Sequence, residues 1–134
     1  MKKNSEDYIQ VYLVSFLRKC GVFTAAIPNG GRRNKAEAAK LKLMGVTAGV
    51  QDLFLISNNK FGFLELKVKE TGKLSKEQKD VMKIMEDNQI QHWVIYATDP
   101  ADAIAQAGII LLEYFGVDYQ LISESSTKVI SGLP

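Results

Sequence analysis

Three charged residues lie in or beside strongly apolar segments. Asp52 precedes the apolar run at residues 53–56, and Glu65 and Lys67 lie inside a second apolar run. Because side chains alternate along a strand, Glu65 and Lys67 would share one face while Leu66 faces a core. Mg²⁺ prefers oxygen ligands and is usually held by one or two carboxylates. Asp52 and Glu65, with the Leu66 carbonyl and a neighbouring Lys67, therefore have the chemistry that a metal-dependent phosphodiesterase requires.

The same pattern has a simpler interpretation. Glu65 and Lys67 could form a solvated ion pair on an exposed strand face. If Asp52 and Glu65 instead came within about 4 Å, they would repel by roughly 4 kcal/mol at an effective dielectric constant near 20. A bound cation would relieve that repulsion, so the two interpretations differ in whether the carboxylates converge.

Composition limits the kinds of metal site. The chain has one cysteine, Cys20, and one histidine, His92. These numbers exclude an internal disulfide and a histidine and cysteine zinc cluster, so oxygen must hold any metal. No segment approaches the roughly 20 apolar residues of a membrane span, and no signal-peptide pattern opens the chain. We therefore expect a cytoplasmic protein with no membrane contact.

Helical and strand patterns predict an α/β fold. The polar turn at residues 57–60 separates two apolar runs, which predicts a β-hairpin. Further strands are predicted at 22–27 and 92–97, and helices at about 6–20, 36–44 and 99–115, with another that opens at Ser75 and has its apolar stripe as far as Met85. A length of 134 residues fits a single domain, 1–134, with a loose serine-rich tail from about 123 to 134.

Two helices carry a polar residue on their apolar stripe. Glu6 shares the stripe of the first helix with Ile9 and Leu13. It is either a carboxylate that favours the helix N-terminus or a third acid directed at the hairpin. Gln78 lies on the stripe of the third helix. It either completes a capping box with Ser75 or positions a water or a phosphate.

Basic residues concentrate just before the hairpin. A loop pattern at residues 28–31 leads into Arg32, Arg33 and Lys35, and two further lysines follow at 40 and 42. Glycine-rich backbone and arginine forks suit phosphate groups, whereas a plain solvated face is the alternative. The net charge of +2 requires no acidic partner by itself, so this local patch carries the DNA-backbone hypothesis. Lys69 opens a second basic loop.

Taken together, these motifs resemble the VRR-NUC family, a branch of the PD-(D/E)xK nucleases. The resemblance rests on Glu6 with Gln10, Asn29-Gly-Gly-Arg-Arg33, Gly45-Val-x-x-Gly49-x-x-Asp52-Leu53, Glu65-Leu-Lys67 and Ser75-x-x-Gln78. It implies a restriction-endonuclease-like core with a mixed β-sheet flanked by helices, in the order α-β-β-β-α-β-α. It also implies cleavage of DNA phosphodiester bonds with Mg²⁺ or Mn²⁺.

The resemblance implies a role for each site residue. Asp52, Glu65, Glu6 and the Leu66 carbonyl would bind metal, Lys67 would be the catalytic lysine, and Gln78 the accessory amide. The candidate DNA contacts are Asn29, Gly30, Gly31, Arg32, Arg33, Lys35 and Lys69. Small viral-type members resemble homodimers that act on branched DNA such as four-way junctions, so a homodimer is expected here.

One position departs from the family pattern. The family usually has proline before the strand aspartate, and this chain has Gln51. The proline is a backbone device rather than a ligand. Two rival hypotheses remain open: a DNA-binding module of the same fold that does not cut, and an unrelated small α/β interaction protein with solvated hairpin charges.

Overall fold

A computed structural model describes residues 1–28 and 34–120. In chain order the elements are α1 (Glu6–Lys19), β1 (Phe23–Ala26), α2 (Lys35–Leu43), β2 (Leu53–Ser57), β3 (Lys60–Val68), α3 (Lys76–Asp87), β4 (His92–Ala97) and α4 (Pro100–Ile110), followed by a π-helical turn, Leu111–Phe115. These elements confirm the predicted strands and helices. The element order that the resemblance implied does not include α2, which lies between β1 and β2. The predicted loose tail lies outside the described residues.

The four strands form one mixed sheet in the order β1-β2-β3-β4. The β1–β2 and β2–β3 pairs are antiparallel, and the β3–β4 pair is parallel. Asn58 and Asn59 both adopt positive φ angles, 50° and 63°, as a two-residue hairpin turn of the favoured twist requires. That turn fixes the register, which pairs Leu53 with Leu64 and so brings the preceding Asp52 opposite Glu65.

The core lies between one face of the sheet and the pair α1 and α4. Its strand and helix members include Leu53, Leu55, Leu64, Leu66, Ile9, Leu13, Phe16, Leu17, Ala103 and Ala107. Full burial of each large aliphatic side chain contributes about 1.5–3 kcal/mol, so this packing holds the start of α1 against the sheet. By contrast, α3 has no fully buried residue. Within the described residues, no helix combines the length and apolar character needed to cross a membrane.

The loop between α2 and β2 depends on two glycines with positive φ, Gly45 at 102° and Gly49 at 95°. A Cβ at Gly49 would collide with the Glu77 carbonyl and lie 2.9 Å from the Gln78 backbone nitrogen. No heavy atom lies within 4 Å of a Cβ built at Gly45. The loop that carries Asp52 is therefore held directly against the first turn of α3.

These two positions give a matched pair of substitutions. We expect Gly49→Ala to lower the free energy of unfolding by about 3 kcal/mol or more, because it adds a backbone collision to an unfavourable φ. Gly45→Ala meets the φ penalty alone and should cost about 1 kcal/mol. Urea unfolding of both variants measures the difference. Equal losses would show that the loop does not press on α3.

Candidate metal centre

Asp52 is held by both neighbouring strands. Its carbonyl accepts a hydrogen bond from the Ile27 N–H at 2.8 Å, and its carboxylate Oδ2 accepts one from the Leu66 N–H at 2.9 Å. The N–H and C=O of a strand residue point toward the same neighbour. The Leu66 carbonyl is therefore also directed to the edge of β3 where Asp52 lies, as its predicted ligand role requires.

Glu65 is almost completely buried, with 2% of its surface exposed. Its Oε1 has no hydrogen-bond partner among the described residues, and its Oε2 lies 3.9 Å from the Lys67 Nζ. The Lys67 side chain is itself only 12% exposed. These values exclude the solvated-pair interpretation, because a buried carboxylate with an unpaired oxygen needs a compensating partner.

Glu6 adds a third carboxylate. Ser5 caps α1, its Oγ accepting a hydrogen bond from the Tyr8 N–H at 3.2 Å, and this cap makes Glu6 the first helical residue. One carboxylate oxygen each from Glu6, Asp52 and Glu65 lie within 4.8 Å of one another. We refer to these three residues as the carboxylate cluster. The helix start, the β2 entry and the middle of β3 thus converge on one point.

The cluster strongly disfavours its own full ionisation. Burial, a hydrogen bond with Asp52 and the Asp52 charge raise the pKa of Glu65 to about 8, against the opposing effect of Lys67 and with a further contribution from Glu6. Burial and then the Asp52 charge raise the pKa of Glu6, while Lys67 lowers it. A divalent cation would replace the missing positive charge. The carboxylate oxygens of Glu6, Asp52 and Glu65 are ligands that suit a hard cation such as Mg²⁺ or Mn²⁺. The buried Glu65 Oε1, which has no hydrogen-bond partner among the described residues, also suits such a cation.

Gln78 takes the capping role that its spacing suggested and also borders the carboxylate cluster. The Ser75 N–H donates to Gln78 Oε1 at 2.8 Å, and the Gln78 N–H donates to Ser75 Oγ at 3.1 Å, so the capping box is confirmed. Gln78 also lines a cavity of about 230 Å³ together with all three members of the carboxylate cluster. Since Oε1 is committed to the cap, the Nε2 group is the part that remains for the site.

Gln51 takes no part in this cavity. It is buried, as are Leu53 and Leu55, whereas the intervening residues are less so, so its side chain shares the core face of the strand. Neither its amide oxygen nor its amide nitrogen has a partner among the described residues. Gln51 therefore lies on the core face of the strand, away from the carboxylate cluster.

The predicted DNA contacts are only partly within the described structure. Asn29, Gly30, Gly31, Arg32 and Arg33 lie outside the described residues. Lys35 is the first residue of α2, a helix with no buried residue. Lys69 is exposed. Hydrogen bonds from Thr98 and Gln106 lower the pKa of Asp102, and the charge of Lys69 lowers it further by the smallest of these contributions.

Sequence reasoning missed two lysines near the centre. Lys2 and Lys73 line a second cavity together with Lys67 and Glu6. Neither belongs to a motif: Lys2 precedes the first cap, and Lys73 lies in the loop after β3. Only the folded chain brings them together, although the basic character of that loop was a partial signal.

Comparison with solved structures identifies the fold. No family model matches the sequence, and no curated protein does. A solved VRR_NUC domain superposes with a TM-score of 0.57 at 16% identity, covering 85% of this chain and 100% of that chain. The chain has the VRR-NUC fold. A second structure, a VRR_NUC domain protein, gives a TM-score of 0.53 at 24% identity over 80% of this chain and 89% of its own.

The VRR-NUC fold confirms the predicted restriction-endonuclease-like core with its mixed sheet and flanking helices. The burial of Glu65 excludes the solvated hairpin charges that the rival hypothesis of an α/β interaction protein assumed. At these identities the likeness extends to the fold, and the activity must be argued from the carboxylate cluster and its surroundings.

Proposed function

We propose that this chain is a divalent-metal-dependent endodeoxyribonuclease of the VRR-NUC family. The observation that carries the proposal is the convergence of Glu6, Asp52 and Glu65 within 4.8 Å, with Lys67 beside them. The carboxylate cluster and the Leu66 carbonyl would hold Mg²⁺ or Mn²⁺. When bound, the cation supplies neutralisation of phosphate charge and activation of water.

The protein's own side chains have separate tasks in hydrolysis. Lys67 places its ammonium group at the edge of the cluster, where it orients the attacking water and offsets negative charge that develops on the phosphate. Gln78 directs its Nε2 hydrogens to water or to a phosphate oxygen. The new bond joins the water oxygen to phosphorus, and the bond from phosphorus to one sugar oxygen breaks. The water gives up one proton to solvent, and the leaving sugar oxygen takes up one proton from solvent. Burial of Lys67 and Glu65 strengthens these electrostatic effects.

Recognition of DNA would rest on backbone contacts. The α2 helix is exposed and carries Lys35, Lys40 and Lys42 with Glu37 as its one acid. Such contacts position DNA without reading its sequence, so we propose selection by shape, with branched DNA such as four-way junctions as the preferred substrate. A homodimer would supply two cutting centres for two strands. The cytoplasmic location stays a prediction.

The proposal is tested with labelled four-way junction, flap and linear duplex DNA, incubated with Mg²⁺, Mn²⁺ or EDTA. We expect strand cleavage with either cation, none in EDTA, and faster cleavage of the junction than of the duplex. Light scattering of the free protein tests the dimer. Absence of product from every substrate with both cations would contradict the nuclease assignment.

A DNA-binding module that does not cut is the second candidate, and the exposed basic α2 helix favours it. This candidate predicts binding that weakens steeply with salt and no product under any condition. Binding by fluorescence anisotropy in parallel with the cleavage assay separates it from the nuclease.

A further inference from the structure

A second cavity, of about 590 Å³, adjoins the carboxylate cluster. It is lined by three lysines, Lys2, Lys67 and Lys73, and we refer to it as the lysine cleft. Glu6 lines both this cleft and the cavity of the metal centre. The two cavities therefore share one carboxylate.

The charge of the lysine cleft is suited to an anion. Its lining residues include three lysines and a single acid, Glu6, which also belongs to the cluster. The cleft includes Asn4 and Ser5 at the N-terminus of α1, a 14-residue helix. The positive end of a helix dipole adds to the attraction for negative charge. Thr71 is part of the cleft wall.

The loop after β3 is folded back so that it forms this wall. The Gly72 N–H donates a hydrogen bond to the Val68 carbonyl at 2.7 Å. A Cβ at Gly72 would lie 2.6 Å from the Val68 oxygen and 2.8 Å from the Lys67 Cβ. Only a residue without a side chain allows this approach, and it brings Thr71 and Lys73 to the same cavity as Lys67.

Lys67 connects the lysine cleft to the metal centre. It lies two residues beyond Glu65 on the same face of β3, and its ammonium nitrogen is 3.9 Å from Glu65 Oε2. A DNA strand with its scissile phosphate at the carboxylate cluster would thus place the backbone on one side of that phosphate at the lysine cleft.

We propose that the lysine cleft binds the phosphate adjacent to the scissile phosphate on the same DNA strand. Lys2 and Lys73 hold this neighbouring phosphate, and Lys67 lies between the two phosphates. The inference rests on the proposed nuclease function and assigns residues to substrate positioning that lie outside the basic patch at residues 32–42.

The test compares the effect of removing one phosphate charge from the DNA in wild type and in a variant that lacks the cleft lysines. The cleavage position is first mapped, and substrates are then made with a single neutral methylphosphonate linkage on either side of it. Binding is measured by fluorescence anisotropy in Ca²⁺ and in EDTA, and single-turnover cleavage in Mg²⁺. The proteins are wild type, Lys2→Ala/Lys73→Ala, and a control, Lys3→Ala/Lys19→Ala, which removes the same charge from outside the cleft.

We expect the neutral linkage at one of the two positions to weaken binding by wild type and by the control about tenfold. The same linkage should change binding by Lys2→Ala/Lys73→Ala less than about twofold, because its phosphate partner is already lost. If the linkage affects this variant and wild type by equal factors at both positions, the cleft does not bind that phosphate. If wild type cleaves DNA but the neutral linkage affects both proteins equally, the phosphate-binding role of the lysine cleft is wrong and the nuclease proposal stands. If wild type does not cleave DNA at all, the nuclease proposal is wrong as well.

Discussion

Lys67→Met and Asp52→Asn are each expected to slow metal-dependent DNA cleavage by about a thousandfold. Loss of one preorganised charge that stabilises a transition state typically costs a factor of about 10²–10³, and both groups are at least partly buried, where charge interactions are strong. The amide introduced by Asp52→Asn would still accept the hydrogen bond that the Leu66 N–H donates, so the backbone at this site should be retained. Single-turnover cleavage of the preferred substrate measures the effect.

The two variants should differ in metal binding, which separates their roles. Asp52→Asn should lose the increase in melting temperature that Mn²⁺ gives to wild type, because a ligand that binds only the native state stabilises it. Lys67→Met should keep that increase, since it removes no ligand. Lys76→Met, on the exposed ion pair with Asp80 at 2.9 Å, serves as the control with normal activity. Cleavage by either site variant at a rate close to that of wild type would refute the assignment.

Without divalent cations, the protein is expected to become less stable as the pH rises from about 5 to 8. The pKa of Glu65 is raised from 4.5 to about 8, first by burial and then by Asp52. Between these values the folded state keeps a proton that the unfolded state has lost, so the free energy of unfolding falls as pH rises. The fall begins above pH 4.5, is complete near pH 8, and amounts to something on the order of 4 kcal/mol.

Urea unfolding in EDTA at several pH values measures this slope. Glu65→Gln removes the titrating group and should be more stable than wild type at pH 8, with a flatter profile over the same window. Asp52, Glu6 and Lys67 are the charged groups that face Glu65 and remain in the variant. Equal slopes in the two proteins, or a wild type that gains stability between pH 5 and 8, would show that Glu65 is not held protonated.

Local signals were sufficient for the elements that carry the site. The Asn58 and Asn59 turn, the alternation along β3 and the Ser75 and Gln78 capping box are short-range features, and each appears in the structure as predicted. The register of a hairpin follows from its turn, so the meeting of Asp52 and Glu65 was also within reach of sequence reasoning. The VRR-NUC fold itself was predicted from the resemblance of the motifs to that family.

Long-range packing decided what sequence reasoning left open. Alternation alone left Glu65 on a face that could be solvated. In the folded chain Glu65 is buried, and Glu6 of α1 and residues 48–50 of the loop before β2 line the same cavity. The choice between two roles for Glu6 was likewise made by the position of α1 against β3. Lys73 reaches the site only through the tight return at Gly72, which has no counterpart in hydrophobic periodicity.

Isothermal titration with Mn²⁺ at pH 7 shows whether Glu6, Asp52 and Glu65 bind one divalent cation. We expect saturable binding to wild type, binding at least about tenfold weaker to Asp52→Asn and to Glu65→Gln, and release of close to one proton from wild type as Mn²⁺ displaces it from Glu65. The proton count follows from repeating the titration in buffers with different ionisation enthalpies. Absence of saturable binding to wild type, or equal affinity in all three proteins, would show that these carboxylates do not form a metal site.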